Sequence, residues 1–254
     1  MSAPTATRAV ELVPLPERGR RVTAERAVRL GDVTPTGRLR LDALARYLQD
    51  IAGDDLADAS IEGLWIMRRL AVIVERMPYF GDTVSLVTFC GGAGRRWAER
   101  RTTVLAHGEP VVETVAIWVY VHPETGRPAP LESWFWDLYG EAAGDRRVSS
   151  RLHLPGPAAD AASSSWPVRA SDLDVLGHAN NAAHWEALEE VIAGCQQPRS
   201  RVCFAELEHR GAIDPGDPVE LRRLVTGGEG AETCARAWLT CGDDVRTAAR
   251  AYLS

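Results

Sequence analysis

Apolar residues recur along the chain with two different periods. Leu41, Leu44, Ala45, Leu48, Ile51 and Ala52 fall at i, i+3, i+4 and i+7 spacing, which places them on one face of an α-helix. Beyond them the spacing changes. Residues 68–75, 83–89, 95–105 and 111–121 are rich in Val, Ile, Thr and Trp and read as strands. Gly81-Asp82 and His107-Gly108 fall between those runs as turns. The later part of the chain repeats this order, with a helix over about 180–193 and strands over 201–209, 219–225, 233–241 and 245–253.

The repetition extends to residue identity. Arg29-Leu-Gly-Asp-Val-Thr-Pro-Thr-Gly37 aligns without a gap on Arg169-Ala-Ser-Asp-Leu-Asp-Val-Leu-Gly177, an offset of 140 that Leu48/Leu188 and Ile51/Val191 keep. Gly81-Asp82-Thr-Val84 aligns on Gly216-Asp217-Pro-Val219 at 135, and Leu105 to Val111 on Leu239 to Val245 at 134. Three blocks in one order, with slowly shrinking offsets, mark two copies of a unit of roughly 120 residues. Each unit holds one long helix against four or five antiparallel strands, an α+β layer in which the sheet curls around the helix. That is the hotdog arrangement, and the chain reads as a double (tandem) hotdog. The expected organisation is an N-terminal extension (1–22), a first unit (23–141), an Ala-, Gly-, Pro- and Ser-rich linker (142–165) and a second unit (166–254). Residues 131–139 have the leucine and aromatic content of a short helix covering the first unit.

Composition removes several chemistries. All 29 basic residues are arginine, so neither a phosphate-binding P-loop lysine nor a Schiff-base lysine is available. A net charge of −6 argues against nucleic-acid binding as the main task. No apolar run approaches the length of a membrane span, and the first residues lack the continuous apolar stretch of a signal peptide, so a cytoplasmic protein is expected. The five cysteines are odd in number and form no C-x-x-C, which suggests neither a disulfide framework nor a zinc site. No cofactor or metal is expected.

Three segments in the first half resemble the N-terminal half of the acyl-acyl-carrier-protein thioesterases of plants and bacteria. They are Trp65-Ile-Met-Arg68, Arg76-Met-Pro-Tyr-Phe-Gly-Asp82 and Trp97-Ala-Glu-Arg-Arg101. Asp172-Leu-Asp174-Val-Leu-Gly177-His178-Ala-Asn180-Asn181 resembles the D-x-D-x-N-x-H-V-N-N hallmark of their second half. The resemblance implies hydrolysis of the thioester joining a fatty or polyketide-type acyl chain to acyl carrier protein, with Asp174 and His178 as the catalytic pair. The family's asparagine falls on Leu176, its glutamate on Ala212 and the plant cysteine on Ile213. The 4-hydroxybenzoyl-CoA thioesterases, which carry D-x-D-P-x-G at the same loop and rely on the second Asp, are similar here too, and they do without the asparagine.

The copies supply a control. Thr34 stands where Asp174 does and Arg38 where His178 does, so the acid and the imidazole belong to one copy only. Asp174 is expected to act as base or nucleophile, with His178 orienting it or the water. The thioester oxygen is expected against backbone N–H groups near Gly177 to Asn180, with Asn181 in support, at the start of the second helix. Asp174, Asn180 and Asn181 are equally good capping residues, which is the competing structural role. Glu186 and Glu189 are backup acids or members of an exposed helix face. Leu48, Ile51, Trp65 and Met67 are expected to line an apolar pocket in the first unit. The partner is an acidic acyl carrier protein, or acyl-CoA, met by some of the arginine pairs at 68–69, 95–96, 100–101, 146–147 and 222–223. No nucleic acid is expected as a partner, and the chain is read as a monomer or homodimer. A hotdog dehydratase or cyclase acting on a carrier-bound chain, and a non-catalytic acyl- or carrier-binding module, remain alternatives.

Overall fold

The computed structural model describes residues 10–59, 63–122, 124–195, 201–227 and 232–254. These form two compact units, one from residues 10–39 and 46–152, the other from 40–45 and 153–254.

The first unit contains strands β1 (Arg21–Ala27), β2 (Leu64–Val74), β3 (Thr83–Ala93), β4 (Trp97–Ala106) and β5 (Glu109–Val121). Their order in the sheet is β1-β3-β4-β5-β2, with every neighbour antiparallel. Helix α1 (Leu41–Asp58) carries the 3.6-residue stripe seen in the sequence, and Leu48 and Ile51 on it are buried. A second helix, α2 (Ser133–Ala143), buries Phe135, Tyr139 and Ala143 against Cys90, Ala93, Ala98 and Tyr120 of the sheet. Its aromatic rings pack in tilted and edge-on pairs, with Phe135 and Tyr139 centroids 5.2 Å apart.

The second unit has the same plan. Strands β6 (Ala162–Ser165), β7 (Val202–His209), β8 (Val219–Thr226), β9 (Thr233–Cys241) and β10 (Asp244–Leu253) lie in the order β6-β8-β9-β10-β7. Helix α3 (Ala183–Ala193) packs on β9 and β10 and buries Trp185, Leu188 and Val191. Identical strand order around one helix in each unit is the double hotdog fold.

Four boundaries differ from the sequence reading. Strand β6 and the end of α2 both lie inside the stretch taken as a linker. The sequence Ala162-Ser-Ser-Ser165 has no apolar alternation to reveal a strand, and it is held to β8 by backbone pairing and by the Ser163 hydroxyl, which donates to Glu220 Oε2 at 2.8 Å. Strand β1 begins at Arg21, inside the expected N-terminal extension. Helix α3 starts at Ala183, three residues later than expected, because residues 180–182 form a turn held by the Asn180 side chain.

One imidazole sits deep in the second core. His184 is buried, with Nδ1 2.5 Å from Thr247 Oγ1, and its ring lies 4.9 Å from that of His209. Burial pushes its pKa down to about 4, against the opposing pull of the Ala179 carbonyl and the Asp174 charge. The folded chain therefore keeps His184 neutral through a range in which an unfolded imidazole, with its pKa near 6.5, takes up a proton. Its contribution is complete above about pH 6.5 and is lost as the pH falls toward 4. Urea unfolding between pH 7 and 5 should show stability declining faster in the native chain than in His184→Gln, by at most about 1.4 kcal/mol per pH unit. Equal slopes would contradict this account.

Candidate active site

The turn ahead of each central helix has one backbone skeleton in both units. In the second, Arg169 N–H donates to Asp172 Oδ2 at 2.8 Å and Asp172 N–H to the Arg169 carbonyl at 3.0 Å. Asp174 N–H then donates to the His178 carbonyl at 3.0 Å, Gly177 N–H to the Asp174 carbonyl at 2.9 Å, and Ala179 N–H to the Ile213 carbonyl at 2.9 Å. The first copy repeats these bonds through Arg29, Asp32, Thr34, Arg38, Gly37, Leu39 and Pro78, at 2.8–3.0 Å. Gly37 and Gly177 turn the chain with φ of +86° and +80°, a region that L side chains avoid.

Backbone groups close this turn, so several of its side chains are free to differ. Where the first copy has Thr34, Arg38 and Tyr79, the second has Asp174, His178 and Asp214. His178 is half exposed, and its Nδ1 stands 2.5 Å from Asp214 Oδ1. Asp214 is itself positioned: its N–H donates to Asp217 Oδ2 at 3.0 Å, and its carbonyl accepts from Asp217 N–H at 3.1 Å. A proton on Nδ1 donated to Asp214 would leave Nε2 as the acceptor of the ring. Asp174 is half-buried and spends Oδ1 on the Leu176 N–H at 2.9 Å. Both Asp174 and His178 thus belong to one tight turn, and each also has a local partner.

Asp214 was not singled out in the sequence, although the signal was there. It matches Tyr79 at the same offset of 135 that relates Asp82 and Asp217, so the comparison of copies that marks Asp174 and His178 marks it as well. It also lies two places beyond Ala212, the position on which the family's glutamate falls. Ala212 is exposed, Ile213 is buried, and Asp214 is exposed, as alternation along an extended segment requires. A carboxylate moved two places along therefore stays on the same side of the chain.

Several expected roles are corrected by their surroundings. The N–H groups of Gly177, Ala179 and Asn180 are all consumed, by Asp174, Ile213 and Asp172, and cannot face a thioester oxygen. The N–H of His178 is the one in that run with no acceptor among the described residues. Asn180 Oδ1 accepts from Ala182 N–H at 2.8 Å, so its side chain builds the turn, and Asn181 lies half-buried beside it. Glu186 is bound by Arg169. Glu189 is not on an exposed face: it is buried, and its Oε1 accepts the N–H of Leu41 at 2.6 Å, capping the start of α1.

The first unit holds a half-open cavity of about 270 Å³ lined by residues of its sheet and of α1, with Phe135 and Tyr139 of α2 on its wall. Trp65 stands on its wall. Leu48, Ile51 and Met67 do not; they are packed in the core. The cavity is faced instead by Gln49, Ala52, Gly53 and Leu56 of α1, of which Ala52 belongs to the apolar stripe while Gln49 and Gly53 escape a search for apolar periodicity. Next to it Asp55, almost fully buried, binds Arg20 Nε and Arg100 Nη2, each at 2.6 Å, and accepts the Tyr139 hydroxyl at 2.9 Å. Burial raises the Asp55 pKa, but the two guanidiniums and the hydroxyl outweigh it and hold the carboxyl below the usual range. Burial and the Asp55 charge push Tyr139 up to about 12. Of the arginine pairs, Arg100, Arg101 and Arg146 serve internal ion pairs with Asp55 and Glu99, whereas Arg95 and Arg96 are exposed.

Among the described residues no cluster of three or more His, Cys, Asp or Glu could hold a metal ion, and no helix is long and apolar enough to cross a membrane. Comparison with known proteins agrees with this architecture. Residues 19–139 match the acyl-ACP thioesterase N-terminal domain and residues 157–248 the C-terminal domain. An uncharacterized protein of Mycobacterium tuberculosis is 28% identical over 242 residues, covering 94% of each chain. The chloroplastic palmitoyl-acyl carrier protein thioesterase of Arabidopsis thaliana is 26% identical over 176 residues, 65% of this chain and 42% of that one. Among solved structures, the 12:0-ACP thioesterase from Umbellularia californica superposes with a TM-score of 0.77 at 20% identity, covering 92% of this chain and 94% of that one. Two matching domains in the order of the two units, over most of the length, place this chain in the acyl-ACP thioesterase family.

Proposed function

We propose that the chain hydrolyses the thioester of an acyl chain carried on acyl carrier protein, with Asp174, His178 and Asp214 as its working side chains. The observation that carries this reading is the pair of matching turns. Their backbones are alike, and only the second is furnished with an acid, an imidazole and a second acid bound to that imidazole. Groups needed to build the turn would occur in both copies.

In this scheme Asp214 fixes the tautomer and direction of His178, whose Nε2 takes a proton from water as the oxygen attacks the thioester carbon. The unused oxygen of Asp174 holds that water or steadies the imidazolium. The N–H of His178 is the available donor for the developing oxyanion. Collapse of the tetrahedral intermediate breaks the carbon–sulfur bond, the thiolate recovers the proton, and the free acid leaves. The cavity of the first unit holds the acyl chain, and exposed arginines such as Arg95 and Arg96 attract the acidic carrier.

Thiol release from acyl-carrier substrates should fall about 10²- to 10⁴-fold in Asp174→Asn and in His178→Gln. Thr34→Ala, the matching site of the first copy, should stay within about twofold of the native rate, as expected of a surface change. Native activity in Asp174→Asn would sink the assignment. Asp214→Asn keeps a hydrogen-bonding side chain but removes the charge that selects the tautomer, and should lower kcat by at least about 10²-fold with KM little changed. A KM effect without a kcat effect would move Asp214 out of the chemistry and into docking.

A further inference from the structure

The wall of the cavity in the first unit carries a guanidinium with N–H groups to spare. Arg100 lines the cavity, and its guanidinium carries five N–H groups. One goes to Asp55 Oδ2 at 2.6 Å and one to Thr88 Oγ1 at 3.3 Å, which leaves three without an acceptor among the described residues. Two other lining residues, Trp65 and Trp118, have indole Nε1 atoms that are buried and likewise lack an acceptor. The remaining wall is largely apolar, with Leu56, Leu64, Ala98 and Phe135, and its other polar side chains are Gln49, Glu99 and Tyr139. Arg100 cannot turn away from the cavity without giving up a buried carboxylate, because Asp55 holds it from α1 and is anchored in turn by Arg20 and Tyr139.

A plain hydrocarbon chain in this space would strip water from the spare N–H groups of Arg100 and return nothing, a cost that a well-fitted ligand avoids by carrying an acceptor. The volume of about 270 Å³ lies just below the ~300–1,000 Å³ usual for small-molecule pockets, which favours a compact ligand over a long one. We infer that the acyl chain taken by this protein is a short, oxygenated one, bearing a hydroxyl or keto oxygen beyond the thioester carbonyl that accepts a hydrogen bond from Arg100. This inference rests on the reading of the cavity as the acyl pocket.

Binding can be tested apart from hydrolysis. Pantetheine amides, in which nitrogen replaces the thioester sulfur, are titrated calorimetrically into the full-length protein. Acyl chains of equal length are compared with and without a hydroxyl or keto group, the oxygen being moved along the chain. At one position the oxygenated amide should bind at least about tenfold tighter than the plain one, the size expected of one hydrogen bond to a charged donor. In Arg100→Gln the ratio should fall toward one through loss of affinity for the oxygenated ligand alone. Equal or tighter binding of the plain chain at every position would overturn the inference, and that comparison needs only the unaltered protein, so it holds even where Arg100→Gln fails to fold. Failure of both amides to bind, in a protein that still releases thiol from acyl carriers, would also overturn it while leaving the thioesterase reading in place. A protein that binds the oxygenated amide selectively but releases no thiol would refute the hydrolase reading and keep the ligand class.

Discussion

Everything distinctive about the second unit depends on a turn that closes itself with backbone hydrogen bonds. Main-chain groups of Asp174, Gly177, His178 and Ala179 find partners within the turn or on Ile213, and the same pattern recurs at Thr34, Gly37, Arg38 and Leu39. Glycine at positive φ supplies the one conformation that other residues resist. A turn held in this way places few demands on the side chains at its tip. Val175 and Leu176 stand out in solvent, and the position of His178 tolerates an arginine in the other copy. Chemistry can be added to such a scaffold, or removed from it, without unfolding the unit.

The fold was legible because it is written twice. Helical and strand periods in one half are weak evidence, but their recurrence at a nearly constant offset turns them into a statement about architecture. Elements with little apolar content were the ones missed. Strand β6 is built from alanine and three serines and is held to β8 by backbone pairing and the Ser163 hydroxyl, which no apolar pattern announces. The start of α3 shifted for a similar reason, since the Asn180 side chain mimics a helical turn before the helix begins.

The candidate site was legible in part. Asp174 and His178 could be found from the motif and from their absence in the first copy, and the turn brings both together. Asp214 could not come from the motif, which points to Ala212; it needed the realisation that a residue two places along an extended chain faces the same way. The N–H groups near Gly177 looked available because sequence shows donors and not their acceptors. The same blindness affected the cavity. Its wall includes Gln49 and Gly53 of α1, which lack the hydrophobic contrast by which helix faces are recognised, and Arg100 sits inside as part of an ion cluster instead of on the surface.

Glu208 bears on how the second unit is assembled. Its carboxylate is fully buried and receives the N–H groups of His153 and Leu154 at 2.5 and 2.9 Å, together with a guanidinium N–H of Arg210 at 2.7 Å. The segment that leads into the unit is thus fastened to a strand more than fifty residues further along. During synthesis that segment emerges first and has nothing to hold it. It can be fixed only after β7 has left the ribosome, when Glu208 gives up its water to the waiting N–H groups. The stretch around residue 153 is therefore fixed only once a strand that follows it by more than fifty residues is in place.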